Sequence, residues 1–338
     1  MNLSRRGLLI GATAMIAAPM GRAATTDVLD ISGPAFGARW HLRSDPDVDA
    51  MAVAEAVMGV VRAVDDSMSP FRPSSEISLF NARRSTDWQA LSGGVTQTLL
   101  EARRVARLTG GAFDPTLGAI VARYGFGPIR QPQIRQSQLR LAPNRPEQAG
   151  AFQDMQISTD GARKAQRDQT LDLCGIAKGH ALDRIIATLA ALGLRNALVE
   201  LGGEVRAIGA HPEGRDWRIG VEHPLGPEGA IWHRLSVSGA AIATSGDQHN
   251  SYLSGTRRYG HIIDPRARRP AQSPLTSVTT IARRAVSADA LATALFALGA
   301  EAGPALAQDA GIAALFLIRD GAGLRQVITG DYATRITA

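Results

Sequence analysis

The sequence predicts an α+β fold, antiparallel sheet with packed helices, and three observations carry that expectation. Apolar segments from residue 197 onward succeed one another through short turns, which favours antiparallel pairing over a doubly wound parallel sheet. Four longer stretches show helical rather than alternating periodicity. Hydrophobic residues make up 45% and charged residues 20% of the 338, an ordinary balance that can bury a sizeable core.

The elements follow in order. Ser4-Arg5-Arg6-Gly7 precedes an apolar run from Leu8 to Met20, and Gly21-Arg22-Ala23 then supplies small residues. That order predicts a twin-arginine signal peptide over residues 1–23, cleaved after Ala23, and a periplasmic mature protein. The run is shorter than the ~20 residues a span needs. No later segment is expected to span a membrane, and no cysteine stands at the junction for a lipid anchor.

Alanine, valine and methionine recur at helical spacing from Val48 to Met68, until Ser69-Pro70-Phe71-Arg72-Pro73 stops the helix. A second helix is expected over 95–109, with Gly110-Gly111 just beyond its end. Residues 128–148 are rich in Pro, Gln and Arg and predict an exposed connection between two intimate lobes, with a boundary near 128–150. A helix over 176–194 ends at Gly193. Strands are expected at 197–201 and 204–208 around Gly202-Gly203, then near 217–222, 235–237, 241–244 and 278–281. A helix over 287–298 and a closing strand over 313–318 complete the chain.

The formal charge is +6, and Arg5, Arg6 and Arg22 leave with the signal while no acidic residue does, so the mature value is 6 − 3 = +3. The arginines are scattered, which argues against nucleic-acid binding. A single cysteine, Cys174, cannot form an internal disulfide.

Several short motifs carry chemistry only weakly when taken alone. Asp172-Leu-Cys-Gly175-Ile-Ala-Lys178-Gly179 runs straight into a helix, an arrangement that suits a phosphate but also an ordinary turn and cap. Gly202-Gly203 between two strands reads as a hairpin bend or as room for a flat ligand. His261, within Tyr259-Gly-His-Ile-Ile-Asp264-Pro265, reads as a structural histidine unless a phosphate lies within reach. Asp289 and Thr293 are four apart and share one helix face. With a loop carbonyl opposite they would form an all-oxygen site suited to Mg²⁺, or they simply favour the helix dipole and back-bond to a carbonyl.

The set and its order are more telling. Gly110-Gly-Ala112-Phe113-Asp114-Pro-Thr116, the 172–179 loop, Leu201-Gly-Gly203, Thr244-Ser-Gly-Asp247, His261-Ile262-Ile-Asp-Pro265 and Ala288-Asp289-Ala-Leu-Ala-Thr293 follow one another as in the ApbE family. Over roughly residues 32–330 the chain resembles these FAD:protein FMN transferases.

That resemblance implies an ApbE-type, T-fold-like α+β architecture with FAD as substrate and Mg²⁺ near its pyrophosphate. It places Gly175, Asp289 and Thr293 on the metal. Phe36, Ala112, Phe113, Asp114, Asp172, Lys178 and Ile262 would contact the flavin nucleotide, and His261 would be the catalytic base. The implied reaction attaches FMN through a phosphoester to an acceptor threonine and releases AMP. Acceptors carry a Ser/Thr-Gly-Ala-Thr-type segment in subunits of membrane redox complexes, such as a regulator of nitrous oxide reduction or sodium-pumping and Rnf-type subunits. Alternatives are an Mg²⁺-dependent FAD pyrophosphatase giving FMN and AMP, and a non-catalytic flavin-binding protein. The chain departs from the family pattern at Cys174, at Glu200 and Glu204 where Asn and Asp are common, and at Arg266-Ala-Arg268-Arg269, where Arg-Thr-Gly is more usual.

Overall fold

The computed structural model describes residues 28–128, 152–248, 250–255 and 257–337. The expected signal peptide, and almost all of the expected connection and lobe boundary, lie outside them. The centre is a sheet of eight strands, all antiparallel: β1 (Leu29–Ala35), β2 (Ala38–Ser44), β3 (Ala197–Leu201), β4 (Glu204–Ile208), β5 (Ala241–Gly246), β6 (Leu275–Ala282), β7 (Ala313–Asp320) and β8 (Gly323–Thr329). Chain order and spatial order agree across the sheet.

Helices α1 (Ala50–Met68), α2 (Glu76–Ala82), α3 (Gly93–Leu108), α4 (Gly118–Arg123), α5 (Ala177–Ala191) and α6 (Ala285–Asp309) complete the main elements. In α1, Val53, Val57, Val61, Val64 and Met68 form one buried stripe, and Asp49 caps its N-terminus through bonds from Met51 and Ala52 N–H. The layers are legible in β7. Ala314, Phe316 and Ile318 enter the core shared with α1, α3, α5 and α6. Ala313, Leu315 and Leu317 face the opposite core, under a small sheet built from residues 217–222, 231–237 and 336–337. A period of two along one strand therefore sets a three-layer molecule.

Three expectations need correction. The helix expected over 287–298 runs from 285 to 309, interrupted at Gly299, where φ is 82° and only glycine sits comfortably. By length and composition this helix could cross a membrane, contrary to expectation, but its apolar window is 61% buried inside the molecule. It is the central core helix. The strand over 313–320 does not close the sheet, because β8 pairs outside it. The β1–β2 hairpin, absent from the sequence reading, forms the other edge.

Candidate functional site

One open cleft of about 1590 Å³ lies where the ends of these elements converge, and every candidate residue named from the sequence lines it. Each is placed by local chain chemistry. Phe36 and Gly37 form the two-residue turn of the β1–β2 hairpin, both left-handed at φ 50° and 78°. Such turns suit the twist of a hairpin, but an aromatic residue at positive φ is strained. The turn holds the Phe36 ring at the rim of the cleft.

Gly110 and Gly111, at φ 59° and 86°, end α3 and turn the chain into Ala112-Phe113-Asp114. Asp114 Oδ1 accepts hydrogen bonds from Thr116 N (2.8 Å) and Thr116 Oγ1 (2.6 Å), capping the short turn Pro115–Leu117. Burial pushes its carboxyl upward against these bonds and the charge of Arg268. Asp172 is fixed in a similar way. Its N–H donates to Pro115 O (2.7 Å), and its Oδ1 accepts from Cys174 N (2.9 Å), which shapes the 172–178 loop. A side chain at Gly118 would meet Asp172 Cβ at 2.9 Å, so the two segments touch by design of the backbone. Cys174 lines the same cleft. It is open to the cleft, where loss of water around the sulfur and then the Asp172 carboxylate shift its thiol upward.

The loop delivers Gly175 to the far wall. Thr293 Oγ1 lies 3.5 Å from Gly175 O and 3.4 Å from Ser245 Oγ. One turn earlier on α6, Asp289 is buried, and its Oδ2 accepts from Gly179 N in the first turn of α5 (2.9 Å). Among the described residues no donor bonds to Oδ1. The two helices cap each other, for Asp183 of α5 accepts from Ala285 N (2.8 Å) and Val286 N (3.1 Å) of α6. Gly179 allows the crossing, since a Cβ there would lie 2.7 Å from Val286 Cα.

Lys178 Nζ donates to Glu204 Oε1 at 2.7 Å; Oε2 is 2.6 Å away but lacks hydrogen-bond geometry. Burial dominates the Glu204 carboxyl and pushes it up to about 8, despite the neighbouring ammonium. Burial likewise raises Asp289, while Lys178 and the Gly179 N–H pull it down. One ammonium thus serves two buried carboxylates, and the excess negative charge calls for a proton or a cation.

The donors present fit a small hard cation. Mg²⁺ takes oxygen ligands at roughly 2.0–2.1 Å, which sets neighbouring ligands about 3 Å apart. The spacings of Gly175 O, Thr293 Oγ1 and Ser245 Oγ come near that, with the Asp289 carboxylate alongside. Among the described residues no three His, Cys, Asp or Glu side chains cluster as a conventional metal site. A metal here would draw on carbonyl, hydroxyl and carboxylate oxygens and leave positions for ligand phosphates.

His261 completes the arrangement. Its Nδ1 lies 3.2 Å from Asn250 O, and its N–H donates to the same oxygen at 3.2 Å. A carbonyl only accepts, so Nδ1 carries the proton and Nε2 offers a lone pair. Burial lowers the imidazole pKa, a shift opposed by the Asn250 bond. Phe126 packs edge-on against the ring, with centroids 6.2 Å apart. Ile262, buried beside it, contributes to the apolar wall and accepts from Ala271 N (2.9 Å).

Glu204, Ser245 and Asn250 are site residues to which the sequence assigns no role. Ser245 stands within the Thr244-Ser-Gly-Asp247 motif. Asn250 acts through its backbone, which no residue type announces.

The profile of the ApbE family matches residues 36–316. A Vibrio cholerae relative named FAD:protein FMN transferase is 32% identical over 305 residues, covering 89% of this chain and 91% of its own. The solved structure of the flavin transferase ApbE from Vibrio cholerae superposes with a TM-score of 0.82 at 30% identity, over 91% of this chain and 99% of its own. The apo flavinyl transferase ApbE of Pseudomonas stutzeri gives 0.81 at 31% identity, over 92% and 98%.

Proposed function

Because this chain belongs to the ApbE family, we propose that it transfers the FMN half of FAD to a threonine hydroxyl of an acceptor protein, with Mg²⁺, in the periplasm. The observation that carries this reading is the meeting, in one cleft, of an oxygen-lined acidic pocket and a histidine whose Nε2 is free to take a proton.

The residues divide the work. Phe36, Phe113 and Ile262 offer apolar surface for the flavin side of the substrate. Ala112, Asp114 and Asp172 line the same wall and hold its loops. Gly175 O, the Asp289 carboxylate and Thr293 Oγ1 would hold the metal, which when bound neutralises charge building on the pyrophosphate oxygens. Lys178 adds a point charge for a phosphate. His261 Nε2 takes the proton of the attacking hydroxyl. The new oxygen–phosphorus bond forms at the FMN phosphate, the bond to the AMP phosphate breaks, and AMP leaves with the electron pair. The imidazolium then returns its proton to solvent.

The acceptor is expected to present a Ser/Thr-Gly-Ala-Thr-type segment, as in subunits of membrane redox complexes. Hydrolysis of FAD by water at the same site is the competing outcome. Intact-mass spectrometry of a scaffold carrying Ser-Gly-Ala-Thr, with AMP quantified in parallel, separates the two. The transfer reading expects one FMN added per AMP released. AMP and free FMN with an unmodified scaffold would replace it with the pyrophosphatase reading.

A further inference from the structure

The segment 257–269 contains five arginines and one aspartate, and His261 lies within it. Arg258 is already employed: its Nε lies 3.7 Å from Asp247 Oδ2, and a second arginine, Arg319, pairs with the same oxygen at 3.1 Å. Arg257, Arg266, Arg268 and Arg269 differ. Among the described residues none of the four has a carboxylate within 4.0 Å. The only aspartate in the segment, Asp264, uses Oδ1 to accept from Arg266 N (2.8 Å) and Ala267 N (3.2 Å).

The segment folds back on itself. Asp264 pairs with Arg269 across a short two-stranded ladder. Gln272 accepts from Arg257 Nε (2.7 Å), which ties the strand before His261 to the chain leaving Arg269. Arg268 is held at φ 53°, a left-handed conformation that glycine adopts more readily, and its charge bears on Asp114 in the cleft wall. A strained, charged residue persists where the surrounding structure fixes it.

None of the four lines the cleft, whereas the adjoining His261, Ile262 and Ile263 do. These four charges, none with a carboxylate within 4.0 Å among the described residues, therefore stand outside the pocket, on the segment that carries His261. We propose that Arg257, Arg266, Arg268 and Arg269 form a docking ridge for an acidic segment flanking the target hydroxyl of the acceptor protein. This inference rests on the transfer reading above and adds which acceptors the site selects. Complementary charge at a rim acts on encounter and register, and it weakens with salt.

The test uses three peptides on one inert scaffold, each with Ser-Gly-Ala-Thr flanked by Asp/Glu, by Ala or by Lys. The full-length enzyme should label them in the order acidic, neutral, basic, with kcat/KM about tenfold apart from first to last at low salt and converging near 0.5 M NaCl. Arg266→Glu with Arg269→Glu should reverse the order while leaving the KM for FAD unchanged. Arg195→Glu, at the opposite end of β3 from Gly202, should leave the order intact. Equal labelling of the three peptides, or an unchanged order in the double variant, would overturn the ridge. If instead the double variant loses binding to phosphatidylglycerol vesicles and keeps the peptide order, the ridge is a membrane surface and the proposal fails. Release of AMP and FMN with no peptide labelled would sink the transfer reading itself, and the ridge with it.

Discussion

At the scale of single residues the proposed reaction turns on protonation and on oxygen donors. His261 holds its proton at Nδ1 because Asn250 O can only accept, and burial favours the neutral ring. Its pKa is shifted below the ordinary 6.5, so the base form persists into mildly acidic solution. Transfer should decline only as pH falls through a midpoint below 6.5. His261→Asn should lower kcat by about 10²–10⁴-fold, abolish that acid limb and leave FAD binding intact. A pH–rate profile of both proteins checks this, and an unchanged acid limb in the variant would assign the base elsewhere. The sequence alone offered His261 only as a histidine that needed a phosphate nearby. Its tautomer depends on a backbone carbonyl eleven residues earlier. Glu204 was visible as a departure from the family pattern, but its pairing with Lys178 arises from the β3–β4 bend meeting the start of α5.

At the scale of elements, the site is organised by two helices that cap one another. Asp183 satisfies the first N–H groups of α6, and Asp289 satisfies Gly179 of α5. Close approach at Gly179 is the condition for both. Gly179→Ala would force a methyl against the Ala285–Val286 backbone and should cost about 1–3 kcal/mol of stability. Because Asp289 would shift with α6, activity should fall along with the melting temperature. A variant that melts and reacts like the parent would refute this role for the crossing. Both helices were legible as periodic stretches, since an apolar stripe is a local property. The continuation of α6 past Gly299 was not, because Gly299 and Pro304 are residue types that ordinarily stop a helix. The β1–β2 hairpin was missed for a related reason. Its turn, Phe36-Gly37, departs from the usual Asn-Gly or Asp-Gly signal and places a strained aromatic residue at the rim of the cleft.

At the scale of the whole molecule, the cleft draws lining residues from Pro34 to Thr293, so the site exists only when the sheet and helices are assembled. The α+β class was readable from short strands joined by tight turns. The layering was not, since it depends on which sheet face each side chain meets. Stability should depend on pH through His180, buried on α5, whose pKa is lowered from 6.5 to about 4 by burial and then by the charges of Arg184 and Arg284. The unfolded chain binds the proton first, so this contribution is complete above pH 6.5 and is lost as pH falls through about 4. The loss should approach about 3 kcal/mol. Urea unfolding at pH 7 and pH 4, with His180→Gln alongside, reads it as a pH dependence that shrinks in the variant. An equal dependence in both proteins would place the acid sensitivity elsewhere. The proposed reaction is metal-dependent transfer of FMN at this cleft. Its most direct test is flavin fluorescence of a Ser-Gly-Ala-Thr acceptor after denaturing electrophoresis, with FAD and MgCl₂, in the wild type and in Asp289→Ala. The acceptor should fluoresce with the wild type and stay dark with EDTA or with the variant. Intact FAD and a dark acceptor with the wild type, or undiminished fluorescence in Asp289→Ala, would contradict it.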